Sequence, residues 1–426
     1  MHVGSKHIFL ALYTAVAIGF NGSVAYAKSV NLSSSCTSTD GKTIKGLRTE
    51  TLYPIASVSK IFTSYWALKT YGVDHRFITK VHLAKVEGEW QAHIEGSYDP
   101  YFSKKSIQYL AATLNKKGIY KLSRLTFDGR VFLALNITDS ELISDTYENT
   151  HPSRVKTGDN LVQIFTRLNR GYETLRSQVE QAHGELLPDT INLTVEEIAY
   201  LNANSFKPKG KTVVLLPSVP LIGMIKYMNT HSHNYLSEAL YQGLGNGSDL
   251  ENFLHSELGI SVADISFLNG SGNNDGENRY TRANCKSIIK TIYALRKLMI
   301  ESGKKSYHAM GVVDVDLETG KGYRSEYTSD SVVAKTGTVA KAVTLAGIAS
   351  TQQGNVYFAF IYKTPSIAYA GQARRAIKED LIELIDQHGG PEKMDSNSPE
   401  GYDPFDRKNV VIITQENLDS VPLRQN

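Results

Sequence analysis

Three short motifs stand in order along the chain: Ser57-Val58-Ser59-Lys60, Ser232-His233-Asn234 and Lys335-Thr336-Gly337-Thr338. A fold that uses them together must bring three distant stretches into one pocket holding two amines and two hydroxyls. The local patterns favour that. Ser57 and Lys60 are three residues apart at the predicted start of a helix, on one face, so hydroxyl and amine can meet. A serine there also sits at the positive end of the helix dipole, which favours a developing alkoxide. Lys335–Thr338 lies on a predicted strand backed by a second apolar strand, and Gly337 leaves room for a substrate backbone to approach.

Each motif alone is weak, because the chain holds imitations. Ser302-Gly303-Lys304-Lys305 has no apolar helix behind it, and Lys156-Thr157-Gly158 has no strand. Ser29-Val30-Asn31 and Ser271-Gly272-Asn273 compete with Ser232-His233-Asn234. The ordered set is what is improbable. Bulk properties exclude other classes: 46 Lys+Arg against 43 Asp+Glu gives a net charge of +3 in 426 residues, so no basic field argues for nucleic acid. Two cysteines are too few for a disulfide scaffold or a cysteine zinc site.

Residues 1–27 read as an export signal: Lys6, an apolar run from Ile8 to Phe20, and Ala25-Tyr26-Ala27 as the small-x-small cleavage pattern. Cleavage after Ala27 would deliver the chain to the periplasm, with no stable membrane anchor. In that oxidising compartment Cys36 and Cys285 could pair, two separate buried thiols being the alternative. Residues 28–55 suggest loop and edge strand. Helical spacing runs from Ala56 to about Tyr71, over 106–116, 161–183 and 219–244, and again over 282–300 and 368–387. The clearest strands are 331–339, 344–350 and 356–362. The block 74–215 has its own periodicity, with a polar, turn-rich stretch at 145–160. The expected organisation is a domain from 28–73 plus 216–390, an inserted domain at 74–215, and a polar tail 391–426 interrupted by Val410–Ile413.

The SxxK, SxN and KTG set is a signature of penicillin-binding proteins and β-lactamases. More specifically, the chain resembles the class C low-molecular-weight penicillin-binding proteins, the D-alanyl-D-alanine carboxypeptidase/endopeptidase family. The likeness runs from about Arg48 to about Gly389. It includes YPIASVSK at 53–60, EGSYDP at 95–100, the stretch 220–245, LNGSG at 268–272 and AKTGTVAKAVTLAG at 334–347. The family's N-x-x-A-E-x-L helix after SxN matches Asn234–Leu240, which selects Ser232 over Ser271. Three departures stand out. His233 replaces the usual Asp, Ile55 lengthens the approach to the serine, and Asn273-Asn274-Asp275 replaces the Leu-Ser-Arg that follows LNGSG.

The resemblance implies an α/β (α+β) fold: a transpeptidase-like antiparallel sheet flanked by helices, with an inserted second α+β domain. It implies a periplasmic serine hydrolase that removes D-Ala from peptidoglycan stem peptides or cuts their cross-links, and that β-lactams acylate. Ser57 would be the nucleophile and Lys60 its base, with Ser232 relaying a proton, Lys335 tuning the field, and Asn234 holding the substrate amide and Lys60. Thr336 and Thr338, with Gly337 between them, would bind the terminal carboxylate, and the Ser57 and Thr338 backbone N–H groups would form the oxyanion hole. A Ser–Lys pair needs neither metal nor cofactor. The alternatives are a catalytically silent peptide-binding envelope protein and a class A β-lactamase, which would need an E-x-x-x-N loop that is missing between Asn234 and Lys335.

Overall fold

The computed structural model describes residues 30–202, 211–316 and 322–394. The expected export segment and the tail from 395 onward, with Val410–Ile413, lie outside them. Among the described residues no helix is long and apolar enough to cross a membrane.

The chain begins with β1 (Asn31–Ser38), short β2 (Lys45–Leu47) and β3 (Tyr53–Pro54), then passes through a 3₁₀ turn, Ala56–Val58, into α1 (Ser59–Tyr71). Next come β4 (Ile78–Val86), β5 (Glu89–Glu95), α2 (Lys104–Lys116) and β6 (Lys121–Phe127). The small helices α3 (Ser140–Ser144) and α4 (Tyr147–Thr150) precede α5 (Arg154–Thr166), α6 (Tyr172–His183), β7 (Thr194–Tyr200) and β8 (Lys211–Pro217). After these run α7 (Leu221–His231), α8 (Asn234–Leu244), α9 (Gly247–Leu258), β9 (Ile265–Ser266), β10 (Arg282–Ala283) and α10 (Cys285–Glu301). The chain closes with β11 (Gly311–Val312), β12 (Val332–Val339), β13 (Ala342–Thr351), β14 (Gly354–Lys363) and α11 (Ala370–Gln387).

The main sheet is antiparallel, in the order β11-β12-β13-β14-β1-β2. Both its faces are covered, which explains why β13 and β14 read as unbroken apolar runs rather than alternating ones. On β14, Val356, Phe358, Phe360 and Tyr362 join Ile377, Leu381 and Ile385 of α11. The intervening Tyr357, Ala359 and Ile361 join Ile61 and Leu68 of α1 and Ile288 and Ile292 of α10. Helix α1 is buried continuously from Ser59 to Leu68, so it is a central core helix rather than an amphipathic surface one.

A second sheet, β7-β6-β5-β4-β8, spans Ile78 to Pro217 and mixes parallel pairs (β5/β6, β6/β7) with antiparallel ones (β4/β5, β4/β8). It has its own core, in which Val81, Ile94 and Leu125 meet Leu110 and Leu114 of α2 and Leu161 and Tyr172 from α5 and α6.

Three expectations are corrected. The 28–55 stretch holds more than the expected loop and edge strand: β2 does lie at the sheet edge, but β1 pairs on both sides, with β14 and β2, and is interior. The helix expected over 161–183 is two, because Gly171 takes a left-handed φ of 73° between α5 and α6. The helix expected over 219–244 is also two, broken at Ser232. Cys36 on β1 and Cys285 at the start of α10 form a disulfide with Cα atoms 5.6 Å apart, linking positions 249 residues apart.

Candidate active site

Ser57 lies in the 3₁₀ turn one step before α1, not on the helix itself. The turn is over-determined by its surroundings. Tyr53-Pro54 pairs with Arg282-Ala283, the Ile55 N–H donates to the Thr281 carbonyl (3.2 Å), and the Thr344 hydroxyl donates to the Ile55 carbonyl (2.9 Å). Ile55, the extra residue in the approach, is fully buried in the core. Ala56 takes a left-handed φ of 47°, a strained choice for a residue with a Cβ. Two glycines hold it there. A Cβ on Gly272 would fall 1.9 Å from the Ala56 carbonyl oxygen, and one on Gly337 would fall 2.3 Å from Thr344 Oγ1 and 2.9 Å from the Ile55 oxygen. The space freed at Gly337 is therefore filled by the protein, letting β12 close on the serine turn.

Lys60, one turn on, is fully buried. Its Nζ donates to Ser57 Oγ, Asn234 Oδ1 and the Ser271 carbonyl, each at 2.9 Å. Among the described residues no carboxylate bonds the amine directly. Burial pulls the amine down to about 7, with Glu238 pulling the other way. Both the ammonium and the free amine are then accessible near neutrality.

Lys335, on β12, is also fully buried. It donates to Ser232 Oγ (2.9 Å) and to the Thr336 carbonyl (2.8 Å). Burial, reinforced by Lys60, holds it well below the ordinary lysine range. Burial leads for both amines, and Lys335, expected to tune the field at Ser57, is itself displaced.

Ser232 closes α7 in a left-handed conformation (φ 57°, ψ 38°), which turns its hydroxyl away from the helix axis and starts α8 at Asn234. His233 caps α8 as an Asp would, but as a neutral ring. Its Nδ1 accepts from the Leu236 N–H (3.3 Å), and its Nε2–H donates to the Ile137 carbonyl (2.7 Å), which fixes the tautomer. Burial lowers its pKa to about 3, so the His233 departure removes a charge without adding a pH switch near neutrality.

Sequence reasoning missed several residues here. Glu238 is buried one turn from Asn234, and its two carboxylate oxygens accept the Gly270 (3.3 Å) and Ser271 (2.8 Å) N–H groups. The i,i+4 spacing from Asn234 was its signal. The rejected Ser271-Gly272-Asn273 belongs to the site after all, through the Ser271 carbonyl and through Asn273, whose side-chain amide donates to the Asp145 carbonyl (2.8 Å). Asn234 Nδ2 donates to the same carbonyl (3.2 Å). The altered loop after Gly272 therefore ties the α3–α4 segment to the site. Arg374 of α11 donates to Thr338 Oγ1 (3.1 Å), with no local signal to announce it. Among the imitations, Lys156-Thr157-Gly158 lies within α5, where Thr157 donates to the Val131 carbonyl, and Ser302 ends α10.

All of the expected side chains that contact solvent line one cleft of about 290 Å³: Ser57, Ser232, Asn234, Thr336, Gly337 and Thr338, with Ile143 and Ser144 forming a wall. Lys60 and Lys335 lie behind it. Among the described residues there is no cluster of side chains suited to a metal ion. The arrangement is that of a serine nucleophile next to a buried amine, with a second amine on a second hydroxyl and a strand edge beside them.

Comparison with known proteins agrees. The profile of the D-Ala-D-Ala carboxypeptidase 3 (S13) family matches residues 37–164 and 180–387. No curated protein matches the chain. Among solved structures, the predatory endopeptidase Bd3459 of Bdellovibrio bacteriovorus, in complex with immunity protein Bd3460, is 30% identical with a TM-score of 0.79, covering 90% of this chain and 99% of that one. Bd0816 from the same organism is 32% identical with a TM-score of 0.77, covering 89% and 99%. Bd3459 is also known acylated by penicillin G. Penicillin-binding protein 4 of Haemophilus influenzae, at 16% identity and a TM-score of 0.62 over 84% of this chain and 97% of that one, shares the fold. The chain belongs to the D-Ala-D-Ala carboxypeptidase 3 (S13) family and is a serine peptidase of the penicillin-binding type.

Proposed function

We propose that this protein is a periplasmic D-Ala-D-Ala carboxypeptidase that also cuts peptidoglycan cross-links, working through an acyl-enzyme on Ser57. The observation that carries the reading is the fully buried Lys60 amine 2.9 Å from Ser57 Oγ. A serine hydroxyl is a poor nucleophile unless a base takes its proton during attack. A lysine brought from about 10.5 to about 7 is such a base at neutral pH.

In acylation Ser57 Oγ bonds to the carbonyl carbon of the penultimate D-Ala while its proton passes to Lys60. The negative oxygen of the tetrahedral intermediate is received by the Ser57 and Thr338 backbone N–H groups, a device in which one donor is worth about 10²–10³ in rate. As the intermediate collapses, the C–N bond breaks and the leaving amine takes the proton that Lys60 received, relayed through Ser232, which Lys335 supports. Water then attacks the ester and gives its proton to the freed Lys60 amine, which returns it to Ser57 Oγ as the ester C–O bond breaks. Asn234 holds Lys60 and the substrate amide, and Thr336 and Thr338 hold the terminal carboxylate, with Arg374 fixing the Thr338 hydroxyl. The catalytic part is taken as 28–73 plus 216–390, with 74–215 inserted, and export follows from a signal over 1–27. The kinship with an endopeptidase acylated by penicillin G supports both the substrate class and the expected inhibition.

The test combines a fluorescent penicillin on the wild type and Ser57→Ala with mass spectrometry of cross-linked muropeptides. Labelling should vanish in the variant, and the wild type should convert dimers to monomers and remove one D-Ala. Labelling that survives the substitution removes Ser57 from its role. No labelling of the wild type would favour a silent peptide-binding protein, and fast penicillin turnover without a lasting label would favour a β-lactamase.

A further inference from the structure

Glu238 has a burial that its role in packing does not explain. A carboxylate taken wholly out of water is costly unless its oxygens are bonded and its charge is answered. Its oxygens are answered by the backbone N–H groups of Gly270 and Ser271. The Gly270–Ser271 segment in turn serves α1. The Gly270 carbonyl accepts from the Ser59 hydroxyl (3.0 Å) and the Thr63 hydroxyl (3.3 Å), and the Ser271 carbonyl accepts from Lys60 Nζ (2.9 Å). Gly270 is needed for the approach, since a Cβ there would lie 2.6 Å from Tyr241 Cβ and 2.7 Å from the Ser237 oxygen. Glu238 thus lies one peptide unit behind the amine that faces Ser57.

We propose that Glu238 is a positioning residue that sets the working basicity of Lys60, its carboxylate both fixing the Gly270–Ser271 segment whose next carbonyl receives the amine and supplying the negative charge that keeps a proton on it. The proposal rests on Lys60 being the base for Ser57. A lysine that burial alone controlled, with a second lysine close by, would lose too much basicity to pull the serine proton, so a fixed counter-charge gives it a floor. The electrostatics show the two groups coupled: Glu238 raises Lys60 against the larger effect of burial, and burial raises Glu238 while the Ser271 and Gly270 N–H groups and Lys60 draw it back down.

The ionisable neighbours of the pair are few. Lys335 faces Lys60 from β12 and His233 from the start of α8, while Tyr147 from α4 and Tyr241 from α8 face Glu238. His233 is neutral above about 3, and burial pushes both tyrosines up, Tyr147 to about 12. Between pH 5 and 9 the groups free to respond are therefore Lys60, Lys335 and Glu238.

The test is the pH dependence, from 5 to 9, of the second-order rate of acylation by a fluorescent penicillin, in wild type, Glu238→Gln and Glu238→Asp. ¹³C-lysine NMR reads the Lys60 titration on the same proteins without any substrate. Loss of the charge in Glu238→Gln should move the midpoint of the acid limb down by about one unit, a tenfold change in neutral amine at low pH. Glu238→Asp keeps the charge and should hold the midpoint within about 0.3 unit while its plateau falls. Glu238→Gln with a wild-type midpoint and only a lower plateau would make Glu238 a packing residue and overturn the proposal. Should Glu238→Gln fail to fold, a Glu238→Asp midpoint displaced by a full unit overturns it equally. If penicillin labels no variant, the proposed function falls, yet the NMR midpoints still decide the role of Glu238.

Discussion

The cleft and the sheet of the 78–217 region both bury charge, and they treat it in opposite ways. In the second sheet two carboxylates have ionic answers: Asp128 receives Arg130 Nε at 2.9 Å together with the Gly96 and Arg130 N–H groups, and Glu95 meets His82 at 2.7 Å and Arg130 at 3.6 Å. Asp99, beyond the end of β5, has none among the described residues and is pushed up to about 7 by burial. For Glu95, burial would raise the carboxyl, but the His82 hydrogen bond and the charges of Lys80, His82 and Arg130 bring it below its ordinary range. In the cleft, Lys60 and Lys335 are fully buried among hydroxyls, an amide and carbonyls, and both are driven down. The same desolvation is offset at Asp128 and Glu95 and left largely standing at the two lysines, Glu238 opposing it only in part at Lys60. Left standing, it becomes a stock of neutral amine at neutral pH, held at a cost to stability.

That contrast breaks or stands on paired substitutions. The largest effect should come from Lys60→Met, which keeps the length and removes the amine. Acylation by penicillin should fall by about 10²–10⁴-fold, while the folding free energy should hold or rise by about 1–3 kcal/mol because a buried amine that Glu238 answers only in part has gone. Stopped-flow acylation and urea melts measure the two. A Lys60→Met protein that is clearly less stable than wild type would mean the cleft's lysine is as well compensated as the charges of the second sheet. The mirror experiment is Asp128→Ala. Arg130 is partly exposed, so the pair is discounted for screening, and the expected loss is about 2–3 kcal/mol of stability. Acylation should stay within about twofold, since the change lies far outside the bonding network of Ser57.

How far the cleft could be read from sequence follows the same line. Ser57, Lys60 and Lys335 were legible because a hydroxyl and an amine at helical spacing, and a lysine on an apolar strand, have few other uses together. The β12–β14 meander and α11 were legible because their apolar runs are long. Glu238 stood in the N-x-x-A-E-x-L match but was given no role, because a Glu on an amphipathic helix reads as a solvated residue until a distant loop is seen to cover it. The Ser271 carbonyl and the Asp145 carbonyl are backbone groups, and their identity leaves no trace in residue type. The break of α7 from α8 at Ser232 was missed because left-handed serine is rare, and hydrophobic spacing continues on both sides of it. The neutral cap made by His233 depends on the Ile137 carbonyl, a partner 96 residues away.

The sharpest test of sign is the response of stability to pH. Lys60 sits at about 7 in the folded chain and near 10.4 once unfolded. Between these values the unfolded chain binds the extra proton, so stability rises with pH from about 7 toward about 10. Glu95 works at the other end: its folded value is lowered, so its contribution is present above the ordinary carboxylate range and is lost as pH falls through the folded value. The difference in unfolding free energy between wild type and Lys60→Met, followed by urea melts from pH 6 to 10, isolates the first contribution because every group outside the cleft cancels. The alkaline rise should be present in the wild type and reduced in the variant, leaving what Lys335 contributes. A flat difference across that window would mean Lys60 keeps its proton in the folded protein, and the contrast between an answered and a partly answered buried charge would collapse with it.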